Sequence, residues 1–303
     1  MKYKNTIFAK QIYKKYTNQK PYHFNNKFNN KMPNLLSLAL DAPHNFARAR
    51  LFAQLADIDL PTLRIDTPTP IAALLAHEVD AVIAPLPSLS TQLPVALTIA
   101  ALLPSLSAAT CLVIRAANYD PTAVLKLPTN AVIGVQTAVQ QAQLLDYRRD
   151  IRCIVLPNLD TELPAECTAF LLPEWAIPAL ETLHNIADFR YVVLHPTEFV
   201  PCAGEGATAL VCRRDDEDTV QRLRAYNDAK TVHCCNVARK LLQQMGEATY
   251  ADRLAAYCTT DANDNYHTYI AYAKNEDTPA LFFKHSQANR TGLVEKLAGF
   301  LEN

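Results

Sequence analysis

Residues 201–228, PCAGEGATALVCRRDDEDTVQRLRAYND, decide the fold of this 303-residue chain. Gly204 and Gly206 are two of only six glycines in the sequence, which indicates that each is there for its backbone conformation. The apolar run 207–212 that follows predicts a buried strand, and the acidic run 215–218 predicts a capped helix start rather than a cation site. The segment is expected to turn between two domains, form a strand and enter a helix.

Apolar runs of strand length alternate with helical periodicity upstream of this segment, which predicts mostly parallel sheets covered by helices. The predicted strands are 35–40, 62–66, 79–85, 111–115, 131–135, 154–156, 169–172, 191–194 and 208–213, and the helices are 45–56, 71–77, 138–147 and 175–184. Downstream, the pattern predicts helices at 217–227, 231–245 and 287–301 with antiparallel strands at 254–258, 266–272 and 280–284. The stretch 261–269 predicts a loop that enters the second of these strands.

This order predicts three structural domains. The first α/β lobe comprises 32–110 with 195–214, the second comprises 111–194, and a small α+β domain covers 215–303. Two crossings near 103–112 and 194–206 predict a hinged pair with a cleft between the lobes, and such clefts bind small molecules.

Residues 1–31 differ in composition from the rest of the chain. They carry eight lysines and no acidic residue, whereas the remainder carries 21 basic and 30 acidic residues. The segment is interpreted either as a disordered basic tail or as sequence upstream of a true start at Met32. It lacks the apolar core of a secretory signal.

Composition also bounds location and partners. No run of eighteen apolar residues predicts a membrane span, and the acidic excess after residue 31 argues against nucleic acid as a partner. The eight cysteines form no CxxC pair and read as reduced core residues of a cytoplasmic protein, expected to be a monomer. His233 beside Cys234 and Cys235 is interpreted as a buried helix face, so no metal is expected.

Four stretches resemble the hydroxymethylbilane synthase family, also called porphobilinogen deaminase. Residues 201–216 resemble its Pro-Ala-x-Gly-Gln-Gly-Ala-x-x-x-x-Cys-Arg-x-x-Asp motif, with Glu205 in place of Gln. In the same order, 79–94 resembles Asp-x-Ala-Val-His-Ser-Met-Lys-Asp-x-Pro, 132–150 resembles Val-Gly-Thr-Ser-Ser-Leu-Arg-Arg-Gln-x-Gln-Leu, and 155–163 resembles Leu-Arg-Gly-Asn-x-x-Thr-Arg-Leu. The chain is identified as a divergent member of this family over about residues 35–285.

The resemblance implies an α/β fold of two periplasmic-binding-protein-like lobes plus a small C-terminal α+β domain. It implies a role in tetrapyrrole (porphyrin) biosynthesis as a transferase that joins porphobilinogen units head to tail with loss of ammonia. It also implies a dipyrromethane cofactor that is attached to a cysteine of the C-terminal domain.

Several positions depart from the family pattern. Ser88 stands where the family has its catalytic Asp, so no catalytic residue is assigned. Thr249 stands where the cofactor cysteine is expected, and a hydroxyl is a far poorer nucleophile than a thiolate, so no attachment residue is assigned. The arginine forks that hold substrate carboxylates in the family are replaced; the residues in their place are Asp41, Val139, Gln140, Pro157 and Glu162.

Other positions keep the pattern. By resemblance, the predicted substrate-binding residues are Thr137, Arg148, Arg149, Asn158 and Thr161, together with Gln140 at one of the replaced arginine positions. The predicted hinge residues are Gly204 and Gly206, with Glu205 between them in place of Gln. Gln141 and Gln143 also match. Thr137 is equally consistent with a helix N-cap, and Arg148 and Arg149 with a solvated helix end.

Two classes of function follow. The first is a hydroxymethylbilane synthase-like transferase whose missing groups predict a degenerate enzyme, or pseudoenzyme. The alternative is a non-catalytic two-lobe protein that binds a small ligand or a tetrapyrrole in the cleft. A third hypothesis, a different transferase, would use Glu162 or Glu205 as an acid-base group.

Overall fold

The computed structural model describes residues 35–42, 45–58, 60–156, 164–275 and 278–302. The predicted tail 1–31 lies outside them. The chain divides into two compact units, one made of Met1–Ser105 with Ala207–Val232 and the other of Leu106–Gly206 with His233–Asn303. The domain limits drawn from the sequence stay predictions.

The elements up to the second crossing, in chain order, are β1 (Leu36–Leu40), α1 (Asn45–Asp57), β2 (Thr62–Ile65), α2 (Pro70–Leu75), β3 (Ala81–Pro85), β4 (Leu97–Leu102), β5 (Thr110–Arg115), β6 (Val132–Val135), α3 (Ala138–Tyr147), β7 (Arg152–Val155), β8 (Ala169–Pro173), α4 (Ile177–Leu183) and β9 (Phe189–Leu194). The elements after it are β10 (Thr208–Arg213), α5 (Glu217–Arg224), α6 (Ala229–Met245), α7 (Glu247–Tyr250), β11 (Leu254–Thr260), β12 (Tyr266–Tyr272), β13 (Leu281–Gln287) and α8 (Leu293–Glu302).

Two five-stranded mixed sheets form the two lobes. The first lobe has the strand order β2-β1-β3-β10-β4 and the second has β7-β6-β8-β5-β9. In both sheets the first three strands of the order are parallel and the remaining two pair antiparallel. Each antiparallel insert, β10 or β5, is joined to the other lobe by a crossing segment. This connectivity confirms the α/β fold class with two lobes.

The C-terminal domain is a three-stranded antiparallel sheet in the order β11-β12-β13. One face packs on α6 and α8 around Leu241, Ile270 and Leu297. On the other face, Ala255 and Ala271 lie in one buried cluster with Val139 and Ala142 of α3. Because these contact residues are small, the sheet and α3 approach closely enough for Ala280 to donate its N–H to the Ala142 carbonyl oxygen at 3.0 Å.

The turn before β10 has the conformation that its glycines predict. Gly204 has φ 89° and Gly206 has φ 80°, a region that other residues rarely adopt. Every residue of β10 is buried, as its uninterrupted apolar run predicts. The two crossing segments are bonded to each other, because the Leu106 N–H donates to the Gly206 carbonyl oxygen at 3.0 Å.

Most predicted elements are confirmed with ends within about two residues, but four points differ. Strand β13, predicted at 280–284, continues to Gln287. Strand β4, which Pro94 and Pro104 bracket, was not predicted. The last helix begins at Leu293 rather than at 287, since Gln287 ends β13 and Gly292 turns the chain with φ 66°. The helix predicted at 217–227 ends at Arg224. In the described part of the chain, no helix has the length and apolar character needed to span a membrane.

Candidate functional site

The start of α3 carries two of the predicted ligand-binding residues, Thr137 and Gln140. The Thr137 hydroxyl accepts the Gln140 N–H at 3.3 Å, and its carbonyl oxygen accepts the Gln141 N–H at 3.2 Å. The Gln140 side chain turns back, and its Oε1 accepts the Gln136 N–H at 2.7 Å. The interpretation of Thr137 as a helix N-cap is therefore confirmed. Ligand binding by Thr137 and Gln140 stays a prediction.

Asp252, which the sequence did not single out, closes the same helix end from the C-terminal domain. Its Oδ1 accepts the Ala138 N–H at 3.0 Å, and its carbonyl oxygen accepts the Val139 N–H at 3.0 Å. A helix N-terminus attracts anions through such N–H groups. Here the chain's own carboxylate already satisfies that preference, so the N-terminus of α3 is occupied from within.

Thr249 lies on α7, three residues before Asp252, and is exposed. Its N–H donates to the Gly246 carbonyl oxygen at 3.0 Å. The segment in which the family is expected to carry its cofactor cysteine is therefore the segment that delivers Asp252 to α3. Val139 stands at one of the expected arginine positions. Only 3% of its surface is exposed, and it lies in a buried cluster that consists mostly of alanines.

Arg148 and Arg149 follow α3, about 15 Å from Thr137 for a ten-residue helix. The Arg148 guanidinium donates to the carbonyl oxygens of Leu127 at 2.6 Å and Pro128 at 3.0 Å, and it pairs with Asp150. The Arg148 side chain is only 13% exposed, so the solvated-end interpretation is wrong for this residue. Arg149 is exposed, as that interpretation expects. Neither arginine lies near the start of α3.

Glu205 lies between the two hinge glycines as an acceptor for three donors. Its Oε1 accepts the Trp175 indole N–H at 2.7 Å and the Gly206 N–H at 3.0 Å, and its Oε2 accepts the Cys202 thiol at 3.1 Å. Three donors therefore surround the two carboxylate oxygens of this side chain. Trp175, the single tryptophan of the chain, was not predicted to contact the hinge, and only its rarity hinted at a role.

Ser88 lies in a 3₁₀ turn, Leu86–Ser88, directly after β3. Its side chain is exposed, and the hydroxyl donates to the Pro85 carbonyl oxygen at 2.8 Å. The hydroxyl is therefore bonded within its own turn. On the same lobe, burial raises the pKa of Asp41, which stands at an expected arginine position.

Arg50 of α1 does not replace that arginine. Its guanidinium is buried, and its Nη2 donates to the Ala207 carbonyl oxygen at 2.7 Å and to the Thr208 hydroxyl at 2.9 Å. The predicted residues Asn158 and Thr161 lie outside the described residues, as do Pro157 and Glu162.

All eight cysteines are free thiols. Burial raises the pKa of Cys111 and Cys153 to about 12 and that of Cys212 to about 11. The pKa of Cys258 is raised by a hydrogen bond with Cys234 and by burial. Such thiols are poor nucleophiles at neutral pH. Among the described residues no cluster of three or more His, Cys, Asp or Glu side chains could hold a metal ion.

The structure is that of a two-lobed α/β protein. Each lobe is a mixed sheet with one antiparallel strand, β10 or β5, that follows a crossing from the other lobe, and a small antiparallel domain packs on the second lobe. Residues 70–221 match the family model described as "Porphobilinogen deaminase, dipyromethane cofactor binding domain". The chain therefore belongs to the porphobilinogen deaminase family, as its sequence motifs predicted.

The relatives are distant and match part of their length. The porphobilinogen deaminase of Brevibacillus brevis is 28% identical over 144 residues, which cover 46% of this chain and 45% of that protein. That of Chloroherpeton thalassium is 27% identical over 211 residues, covering 68% of this chain and 60% of that protein. The chain thus matches less than two thirds of either relative. The chain is also similar to a solved structure, an ancestral cationic amino acid solute binding protein. The similarity covers 72% of this chain and 93% of that chain, at 12% identity and a TM-score of 0.40.

Proposed function

We propose that this chain is a non-condensing member of the porphobilinogen deaminase family that holds a small ligand by non-covalent contacts. On this proposal the two-lobed frame and its hinge are kept for binding, and the cofactor-dependent joining of pyrroles is lost. The eight free thiols support a reducing compartment such as the cytoplasm.

The observation that carries the proposal is the occupied start of α3. The N–H groups at this helix end donate to groups of the same chain, namely Gln140 Oε1, Asp252 Oδ1, the Asp252 carbonyl and both oxygens of Thr137. A pyrrole carboxylate would have to displace Asp252 and leave that carboxylate without its partners. Because the Ala138 N–H already has a carboxylate acceptor, a carboxylate of a ligand would gain little there, and a polycarboxylate ligand is disfavoured at this end.

The hydroxyl and thiol groups that could anchor a cofactor support the same conclusion. Thr249 offers a hydroxyl with no described base at hydrogen-bond distance, and the thiols of Cys111, Cys153, Cys212 and Cys258 have raised pKa values. A covalent dipyrromethane needs a thiolate in the family's chemistry. The family is expected to have an aspartate at the position of Ser88, and loss of an acid-base group alone typically lowers the rate about 10²–10⁴-fold.

Mass spectrometry of the full-length chain, expressed in cells that make porphobilinogen, tests both halves of the proposal. The denatured mass is expected to equal the sequence mass before and after incubation with porphobilinogen. The native spectrum is expected to contain an added mass that disappears on denaturation. The Brevibacillus brevis porphobilinogen deaminase, treated in parallel, serves as the control for active substrate.

A denatured mass that grows by pyrrole units would overturn the non-condensing proposal and identify a replacement anchor by peptide mapping. A native spectrum without added mass, from cells and after incubation with porphobilinogen, would contradict the binding half. The variant Asp252→Ala separates the two arguments, because freeing the start of α3 should increase retention of porphobilinogen in the native spectrum without creating a covalent adduct.

A further inference from the structure

Three side chains on the C-terminal sheet form a serine–histidine–aspartate array. Ser286 of β13 lies directly opposite His267 of β12 in the antiparallel register. The Ser286 Oγ is 2.8 Å from His267 Nδ1, and His267 Nε2 is 3.3 Å from Oδ2 of Asp261 in the turn before β12. Both distances suit the hydrogen bonds between a nucleophile, its base and the group that orients the base.

Asp261 is held as an anion by its own turn. Its oxygens accept the N–H of Asn263 at 2.8 Å, the N–H of Asn265 at 3.0 Å and the Asn265 side-chain amide at 2.9 Å. These bonds, with the Asn265 amide the largest contributor, lower the Asp261 pKa to about 2. A carboxylate can only accept, so it places the imidazole proton on His267 Nε2.

With its proton on Nε2, His267 presents the lone pair of Nδ1 to the Ser286 hydroxyl. The hydroxyl therefore donates to His267, which is the arrangement of a general base beside a nucleophile. The two ring nitrogens are exchanged relative to the serine protease triad, but each performs the same task. Apo arrays of this kind are often looser than the working geometry, so 3.3 Å to Asp261 is compatible with the role.

The same sheet face supplies a cation and an aromatic platform. Because side chains alternate along a strand, Lys284 and Ser286 share one face, and their register partners Tyr269 and His267 share it too. The Lys284 ammonium lies 5.0 Å from the centroid of the Tyr269 ring, and the Tyr257 ring is 6.2 Å from it on the other side. Ser286 and Lys284 are exposed, so the array is open to a substrate.

We propose that Ser286 and His267 are the catalytic residues of an acyl-transfer site that hydrolyses small esters carrying an aromatic group, with Asp261 as the positioning residue. The Ser286 oxygen bonds to the ester carbonyl carbon while its proton passes to His267 Nδ1. The Lys284 ammonium stabilises the carbonyl oxygen as it becomes negative. The bond to the alcohol then breaks, and that alcohol leaves with the proton. Water releases the acid by the same steps in reverse and restores Ser286.

Diisopropyl fluorophosphate labelling of the full-length protein tests the site. The Ser286 oxygen displaces fluoride, so the intact mass should rise by one diisopropyl phosphoryl group, and peptide mapping should find it on the peptide that contains Ser286. Hydrolysis of 4-nitrophenyl acetate should exceed that of the Ser286→Ala variant. The exposed Ser90 of the other compact unit supplies the matched control, Ser90→Ala, which should label and hydrolyse like the unmodified chain.

The neighbours of Ser286 should matter in order of their role. His267→Gln is expected to slow labelling about 10²–10⁴-fold, the usual contribution of a general base. Asp261→Asn should slow it as well, whereas Asp261→Glu should restore most of the rate, which a merely structural aspartate would not require. Circular dichroism checks that each variant is folded. Labelling spread over several serines, no labelling, or a His267→Gln variant that reacts as fast as the unmodified chain would each overturn the proposal.

Discussion

The two lobes have equivalent strand orders, and each has a buried glutamine on the helix that follows the second strand of that order. The two glutamines bind different parts of the chain around the second crossing. In the second lobe, Gln143 of α3 donates to the Val200 carbonyl oxygen at 2.9 Å and accepts the Val200 N–H at 2.6 Å. In the first lobe, Gln54 of α1 accepts from the Thr208 hydroxyl and from Arg50 Nε at 3.4 Å. Gln143 therefore hydrogen-bonds to backbone groups, whereas Gln54 hydrogen-bonds to side chains.

This difference shows where the second crossing is fixed. Val200 is fixed through its own backbone groups, which stay the same whatever side chain it carries. Gln54 reaches Thr208 only through the threonine hydroxyl, whereas the Thr208 backbone is held by the sheet: it pairs with Pro85 of β3, and its carbonyl oxygen accepts the Leu103 N–H at 2.9 Å. The turn with Gly204 and Gly206 lies between these two points, so we infer that both of its ends are held through backbone groups. The side chain of Gln143 supplies the bonds at one end, and strand pairing supplies them at the other.

Replacing Gln143 should produce the largest loss of stability. Gln143→Met keeps the length of the side chain but leaves the Val200 N–H and carbonyl oxygen buried without that partner, at about 1–3 kcal/mol for each group. We expect the free energy of unfolding to fall by roughly 2–5 kcal/mol in urea titrations. The matched Gln54→Met should cost less, about 1–2 kcal/mol, because the Thr208 hydroxyl can rotate and Arg50 keeps its bond to the Ala207 carbonyl oxygen. An equal or greater cost for Gln54→Met would reverse the comparison.

The turn with Gly204 and Gly206, between the residues that the two glutamines contact, is the next point to test. Gly206→Ala forces a Cβ into a backbone with φ 80°, which costs about 1–2 kcal/mol. Gly299 in α8 offers a control, because no atom lies within 4 Å of an added Cβ there and its φ is helical. Gly299→Ala should instead stabilise by about 0.5–1 kcal/mol. Differential scanning calorimetry should therefore show a lower melting temperature for Gly206→Ala and a higher one for Gly299→Ala. An unchanged melting temperature for Gly206→Ala would show that a side chain does not strain the turn.

One helix in each compact unit has an aspartate at its N-terminus, but the two aspartates come from different places in the chain. Asp216 caps α5 within its own segment by accepting the Thr219 N–H at 3.1 Å, whereas Asp252 reaches α3 from the C-terminal domain. Either Asp→Ala substitution should cost about 0.5–2 kcal/mol. Only Asp252→Ala should also speed amide hydrogen exchange at both α3 and α7, because it separates two segments. Exchange that stays unchanged at α7 would contradict a link between them.

The sequence predicted the frame better than the site. The alternation of strands and helices and the two rare glycines carry their own local signals, so the order of the elements and the positive φ of Gly204 and Gly206 were confirmed, whereas a hinge at these glycines stays a prediction. Asp252, Trp175 and the buried role of Arg148 depend on contacts between residues far apart in the chain, and no local pattern encodes those contacts. Strand β4 lies at the edge of its sheet, where prolines beside the ends of a strand are tolerated, so the prolines next to it do not exclude a strand there.

The smallest expected effect belongs to the second lobe alone and concerns acid. The Arg148 hydrogen bond, followed by the Asn130 N–H at 2.9 Å, lowers the pKa of Asp150 to about 2. A carboxyl with a lowered folded-state pKa adds stability above its unfolded pKa of about 3.9, and that stability is lost as pH falls through the folded value. Asp150→Asn should therefore be slightly less stable than the unmodified chain at pH 6, and the difference should shrink between pH 4 and pH 2. Arg148→Met should flatten the same part of the profile, because it removes the main cause. Urea titrations over this range measure the effect, and a difference between Asp150→Asn and the unmodified chain that stays constant down to pH 2 would show that the pair does not act through its charge.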